Sequence, residues 1–171
     1  NIEVGHSVRD ITACVNECKA DITVATAMFE RRLLGGDANL EASIAQALTK
    51  KKVWPAEKFF AAKYQEQIER HKQFDDVDYN LEPNIKASPG GMRDIHTALW
   101  ICNRNFGTTD ISRLVEMNVL TAEEGKWLIE GRRFLWWVRF GLHLIAGRKE
   151  DQLHFSRQRA VSYTHLRAHE T

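Results

Sequence analysis

Lys86 precedes and Arg93 and Asp94 follow the Pro89-Gly90-Gly91 turn in the segment YNLEPNIKASPGGMRD, residues 79 to 94. Two prolines, two adjacent glycines, a Lys and an Arg-Asp pair here precede a helix start. Gly90 and Gly91 permit close backbone approach and positive φ. A helix beginning near Met92 turns unpaired N–H groups and a partial positive charge toward the loop before it. Arg93 adds a planar, bidentate donor and Lys86 a point charge, so the corner could hold phosphate. The alternative is a plain turn in which Asp94 favours the helix N-terminus and Arg93 makes a surface ion pair. The spacing is neither a Walker loop nor a dinucleotide fingerprint, and residue types alone leave both readings open.

Other reactive residue types carry less. His6-Ser7 lacks an oriented third partner for nucleophilic catalysis, so a structural turn is expected. His96, on the helix after the turn, reads as a surface histidine. Cys14 and Cys18 are four apart and Cys102 stands alone; no second ligand pair completes a zinc site, and structural thiols are expected. Asp75, Asp76 and Asp78 form an acidic triplet without the glycine and terminal Glu of a calcium loop, which reads as a solvated turn.

The elements that must position the corner follow from periodicity. Arg9 to Ala20 reads as a helix, with Ile11, Cys14, Val15 and Cys18 on one face. Ile22 to Leu34 reads two ways: ITVATAMF is rich in β-branched residues and fits a strand, while AMFERRLL fits a helix on propensity. A strand through about Arg32, closed by Gly35-Gly36, is the expectation taken. Asn39 to Lys51 predicts an amphipathic helix with Leu40, Ile44, Ala47 and Leu48 inward and lysines at its C-terminus. Pro55 opens a helix to about Phe74, whose polar face of Lys63, Gln65, Glu66, Gln67, Glu69 and Arg70 is expected to be solvated. After the glycines, Ile95, Ala98, Leu99, Cys102 and Phe106 share a helix face, and a short helix covers Ile111 to Met117. Thr121 and Glu124 form a capping box that opens a helix to Ala146, stopped by Gly147. Along it Leu128, Gly131, Leu135, Val138, Leu142 and Ile145 repeat as one face. With Trp127, Phe134 and Trp137 widening that surface, this helix is expected to be the buried spine of a bundle.

Composition sets the outer bounds. The 171 residues carry 24 Lys plus Arg against 23 Asp plus Glu, a formal charge of +1, which disfavours a dedicated nucleic-acid binder. No apolar run reaches the ~20 residues that cross a bilayer. The expected fold class is mainly α, a helical bundle preceded by an α/β piece. The lack of an initiator Met and the character of SYTHLRAHET, residues 162 to 171, suggest an internal fragment with a non-native tail.

The string NLEPNIKxxPGGMRDIxTxLW closely resembles the segment that follows the nucleotidyltransferase domain in the bacterial PII uridylyltransferase/uridylyl-removing enzymes. So do GHSVRD at Gly5 to Asp10, DITVATAMFERRLLGGD at Asp21 to Asp37, KFFAAKYQEQIERH at Lys58 to His71 and RRFLWWVRFGLHLIAGRKEDQLHF at Arg132 to Phe155. A shorter Lys-x-x-Pro-Gly-Gly-hydrophobic-Arg-acid pattern also occurs in the related glutamine synthetase adenylyltransferases, the alternative within enzymes. Where the family has Glu-Gly or a similar pair before the proline, this chain has Ala87-Ser88.

The resemblance implies a cytoplasmic, multidomain nitrogen sensor that transfers UMP from UTP to a tyrosine of the PII signalling protein. A hydrolase domain removes UMP, and C-terminal ACT domains sense glutamine. It implies residues 1–50 as the C-terminal part of the nucleotidyltransferase domain, 51–161 as the helical domain after it, and 162–171 as the tail. Transfer in that fold uses Mg²⁺ held by acids that the resemblance places upstream, so the isolated chain is expected to be inactive. One carboxylate could remain: Glu30, in the Asp-x-Arg-like position of a strand, is the candidate third acid and metal ligand, with Glu3 as its rival and a surface Glu paired with an Arg as the plain alternative. Lys86, Gly90, Gly91, Arg93 and Asp94 are expected to bind or orient UTP. A reading from another class makes the helical region a docking scaffold that does not touch nucleotide.

Overall fold

The computed structural model describes residues 5–49, 52–74 and 81–167, with side chains to residue 163. The chain divides into two compact units, residues 1–62 and 63–171. Among the described residues every regular element is a helix, and an isolated antiparallel bridge joins Asn84 to Gln152. No helix of the described residues is long and apolar enough to cross a membrane.

The first unit holds α1 (Ile11–Ala20), α2 (Ile22–Phe29), α3 (Ala38–Ala47) and the first residues of α4 (Ala56–Lys72). Side chains of Asp10, Asp21 and Asp37 each accept a first-turn N–H and so start the three helices. Cys18, Ala25, Ile44, Leu48 and Val53 form the core, with Cys14 packed against it, so both thiols serve as small hydrophobes. Burial pushes the Cys18 thiol above its ordinary pKa. Trp54 sits in left-handed backbone at φ 45°, and its indole N–H donates to Cys18 O at 2.6 Å. Phe29 and Phe59 meet ring to ring at 5.8 Å.

Three expectations fail in this unit. The strand predicted from Ile22 is helix α2. Ala25 and Thr26 are buried and Ile22 and Phe29 partly so, which is a spacing of i, i+3, i+4 and i+7. Asp21 caps this helix, and Thr26 Oγ1 donates to Ile22 O at 2.7 Å, which lets a β-branched hydroxyl residue sit buried inside it. Tertiary burial and a cap therefore override β propensity. Helix α3 stops at Ala47, short of the lysines expected at its end, with Leu48 as C-cap. Leu40 is exposed and lines a hollow of about 790 Å³ with Arg9, Asp10, Arg31 and Glu41.

The second unit contains the rest of α4, then α5 (Met92–Phe106), α6 (Ile111–Glu116), α7 (Ala122–Ala146) and α8 (Phe155–Arg167). Helix α7 packs against α5, α6 and α8. One core groups Leu99, Ile111 and Leu114 with Ile95, Cys102 and Leu128; another groups Ile85, Val138, Leu142 and Val161 with Leu135 and Leu153. Gly125 lets α6 approach: a Cβ there would meet Val115 Cγ2 at 2.6 Å. The capping box forms as read, and Gly147 closes α7 in left-handed backbone at φ 64°.

The buried-spine expectation holds for only one face of α7. Val138 and Leu142 are buried, but Ile145 is exposed, and so are Trp127, Phe134 and Trp137. A 25-residue helix presents more apolar perimeter than α5, α6 and α8 cover, and the aromatic side faces outward. A hollow of about 350 Å³ lies there between Arg133, Trp136, Trp137 and Phe140. On α5, Ala98 and Phe106 are likewise exposed, whereas Thr97 and Trp100 are buried. Helix α8 continues past Val161 to Arg167, into the segment read as a tail without helical periodicity. Residues 75–80, with the acidic triplet, and Glu3 lie outside the described residues.

Candidate functional site

The Pro-Gly-Gly corner is built by hydrogen bonds that run through the loop before α5. Asn84 Oδ1 accepts from Lys86 N at 3.2 Å and Ala87 N at 2.9 Å, while Ser88 Oγ accepts from Asn84 N at 2.9 Å. This polar side-chain scaffold bends residues 84–88 into a compact turn. Gly90 then takes left-handed backbone at φ 74°. Gly91 is required for space: a Cβ would lie 2.8 Å from Ser88 O and 3.0 Å from Ile85 O.

The loop consumes the donors that were expected to face a ligand. Gly91 N–H donates to Ser88 O at 2.8 Å, Met92 N–H to Ile85 O at 3.0 Å and Arg93 N–H to Lys86 O at 2.8 Å. Gly90 N–H donates to Asp94 Oδ2 at 2.8 Å. The helix start and both glycines therefore present no free N–H to phosphate, a correction to the cradle read from the sequence. Gly90 and Gly91 shape the turn.

Asp94 is the hub of the corner. Its Oδ1 accepts from Arg70 Nη2 at 2.7 Å and Gln67 Nε2 at 3.1 Å, and His71 Nε2 lies 3.0 Å away. Arg70 Nη1 also donates to Ala87 O at 2.9 Å, tying α4 to the loop. Burial pushes the Asp94 carboxyl up, but the hydrogen bonds from Arg70, His71 and Gly90 outweigh it and hold the group below the ordinary aspartate range. Asp94 thus fixes the loop and α4 together, in place of the simple helix-end charge considered from the sequence.

Of the solvated face expected for α4, Gln65 and Glu69 are exposed, but Lys63, Gln67 and Arg70 are not. Lys63, Gln67, Arg70 and His71 recur at i, i+4, i+7 and i+8, one helical face, and they turn inward. Lys63 is only 2% exposed; its Nζ pairs with Glu66 at 2.9 Å and lies 4.8 Å from the Trp100 ring centre. The periodicity is present in the sequence, but polar residues at helical spacing read as a solvated face.

Lys86 and Arg93 are brought side by side. Neither pairs with a carboxylate among the described residues, so the surface ion pair considered for Arg93 does not form. The Arg93 guanidinium stacks 5.3 Å from the Trp100 ring centre, and His96 meets the same ring at 5.8 Å. Burial first, and then the Arg93 charge, push the Lys86 amine below its ordinary pKa. The geometry leaves two adjacent cations on a rigid turn, suited to an oxyanion.

The metal expectation finds no such support. Glu30 is exposed at the C-cap of α2, so the strand on which its role rested is not formed. The described residues contain no group of three His, Cys, Asp or Glu that could hold a metal ion by themselves. His6 lies in exposed chain without regular structure.

Residues 58–167 match the family model described as GlnD PII-uridylyltransferase. The chain is 44% identical over 161 residues to bifunctional uridylyltransferase/uridylyl-removing enzymes of Stutzerimonas stutzeri, Azotobacter vinelandii and Pseudomonas aeruginosa. Each match covers 94% of this chain and 18% of the relative, so the chain spans under a fifth of the length of these proteins. No solved structure matches it. The match extends well beyond the short motif shared with the adenylyltransferases, and the chain belongs to the PII-uridylyltransferase family.

Proposed function

We propose that this chain is a segment of a cytoplasmic enzyme that transfers UMP from UTP to a tyrosine of PII and also removes it, under the control of glutamine sensed elsewhere in the protein. Within it, Lys86 and Arg93 bind the phosphates of UTP. The observation that carries this reading is their juxtaposition on a turn locked by Asp94, with neither in a contact ion pair with a carboxylate among the described residues. In the transfer the tyrosine oxygen bonds to the α-phosphorus and pyrophosphate leaves, so cations on the phosphate chain stabilise the charge that shifts onto the leaving group. Mg²⁺ belongs to the proposal for the full enzyme, held by acids outside the described residues; the isolated chain is expected to be inactive.

In the full-length enzyme, Arg93→Ala should raise the KM for UTP about tenfold or more, as expected for loss of a charge-assisted phosphate contact. An unchanged KM and kcat would sink the assignment. A docking role for the same unit is favoured by one observation, the outward aromatic face of Trp136, Trp137 and Phe140 on α7. As a scaffold that does not touch nucleotide it excludes phosphate binding by Lys86 and Arg93, so the Arg93→Ala KM decides between the two readings. Trp137→Ala in the full enzyme should then lower its thermal stability without moving the UTP KM.

A further inference from the structure

The corner continues into the α7–α8 connection. Ile85 N–H donates to Asp151 O at 2.8 Å and Leu153 N–H to Pro83 O at 2.9 Å, flanking the Asn84–Gln152 bridge. Lys86 therefore follows directly on a residue bonded to Asp151. The Asp151 carboxylate takes Arg139 Nε at 2.6 Å and faces His143 Nε2 at 3.3 Å. That contact leaves both Nη groups of Arg139 unpaired among the described residues. Lys149 lies two residues before Asp151, and the neighbouring Glu150 is engaged by Arg157 at 2.8 Å and Arg148 at 3.5 Å. The charges of Arg93, Lys149 and Arg139 all push the Lys86 amine down, opposed by Asp151. The backbone bonds set the α7–α8 connection, which carries Lys149 and pairs Asp151 with Arg139, against the arm that carries Lys86, and Arg93, Arg139 and Lys149 all act on the Lys86 charge. Such like charges repel, and a polyanion bound among them would reverse that cost.

We infer that Arg139 and Lys149 complete the anion site of Lys86 and Arg93, forming a four-cation cradle for a nucleoside polyphosphate chain, with Asp151 as its positioning residue. This rests on the reading of the corner as a UTP site and deepens it by assigning these residues to the phosphate chain. A triphosphate, with its several negative charges, matches the cradle better than a single carboxylate. Asp151 acts through others: its carboxylate orients Arg139 and its carbonyl anchors the arm that carries Lys86.

The test uses the full-length enzyme, with Lys149→Gln, Lys149→Glu and Lys149→Arg set beside Lys86→Gln and Arg93→Gln. Lys149 is exposed, so its variants leave packing intact. The KM for UTP should rise about threefold in Lys149→Gln and about tenfold in Lys149→Glu, with Lys149→Arg restoring the parent value. Inhibition by inorganic tripolyphosphate should weaken in the same order. If Lys149→Glu moves neither quantity while Lys86→Gln and Arg93→Gln do, the cradle is overturned and the UTP reading stands. If none of the variants moves them, the UTP reading fails with it. A Lys149→Glu enzyme with raised KM for PII but unchanged KM for UTP would also overturn the cradle, making this surface a protein contact.

Discussion

Helices α5 and α7 begin with the same move and reach different ends. In each, an acid at the third helical position reaches back across the helix start: Glu124 Oε2 accepts from Thr121 N at 2.8 Å, and Asp94 Oδ2 from Gly90 N at 2.8 Å. On α7 the exchange is local and reciprocal, since Thr121 Oγ1 accepts from Glu124 N at 3.2 Å. On α5 the N-cap is Gly91, without a side-chain cap, and the loop carbonyls of Ile85 and Lys86 take the first N–H groups. The freed second oxygen of Asp94 then gathers Gln67, Arg70 and His71 from α4. One cap starts a helix, whereas the other starts a helix and holds a loop that carries Lys86 and Arg93.

The sharpest test of that contrast compares Asp94→Ala with Thr121→Ala. Removing Asp94 leaves the mostly buried Arg70 without its counter-ion and frees Gly90, so urea denaturation should show a loss of about 3 kcal/mol. Thr121→Ala should cost about 1 kcal/mol, the usual value of an N-cap. Equal losses would reduce Asp94 to an ordinary cap. Asp94→Asn is expected to fall between the two, because it keeps some hydrogen bonds and drops the charge.

Gly91→Ala sharpens the comparison from the backbone side. Its Cβ would press on carbonyl oxygens at 2.8 and 3.0 Å that belong to the corner itself, so the loop must shift, at about 2 kcal/mol. In the full enzyme the UTP KM should rise with it, because Arg93 N–H is bonded to the same loop. A variant that loses stability but keeps its KM would separate the turn from the binding role of Lys86 and Arg93.

These two helix starts also divide what the sequence made legible from what it did not. The capping box, Gly147 and the inward run of Val138 and Leu142 depend on residues a few positions apart, where period and cap chemistry act directly. The corner was located by its residue types, yet its wiring was not, because Asp94 finds its partners 23 to 27 positions away on α4. The face of Lys63, Gln67, Arg70 and His71 was helical in period but polar, and a hydrophobic pattern cannot see it. At α2 the error ran the other way. Ile22, Thr23, Val24 and Thr26 suggested a strand, while the Asp21 cap and the burial of Ala25 and Thr26 decided for a helix. The aromatic side of α7 shows a further limit: periodicity identifies apolar positions but not how many neighbours arrive to cover them.

The smallest expected difference lies in acid. Both acids titrate below their ordinary values, Glu124 through hydrogen bonds from the Thr121 N–H and hydroxyl, Asp94 through Arg70, His71 and Gly90 against the opposing effect of burial. A carboxyl depressed in the folded state contributes stability above its ordinary pKa and loses it as pH falls through the folded value. The chain should therefore lose stability as pH drops below about 4, and both Asp94→Asn and Glu124→Gln should lose less on that descent than the parent. Salt separates them. Charge interactions at the exposed Glu124 are screened as ionic strength rises, whereas the ion pair of Asp94 lies mostly out of water and is screened less. Denaturation followed from pH 5 to 2, at about 0.05 M and about 0.5 M NaCl, should show the difference between parent and Asp94→Asn surviving salt better than that between parent and Glu124→Gln. If salt erases both alike, the α5 corner is electrostatically an ordinary helix end, and the rigidity ascribed to Asp94 must come from the loop carbonyls alone.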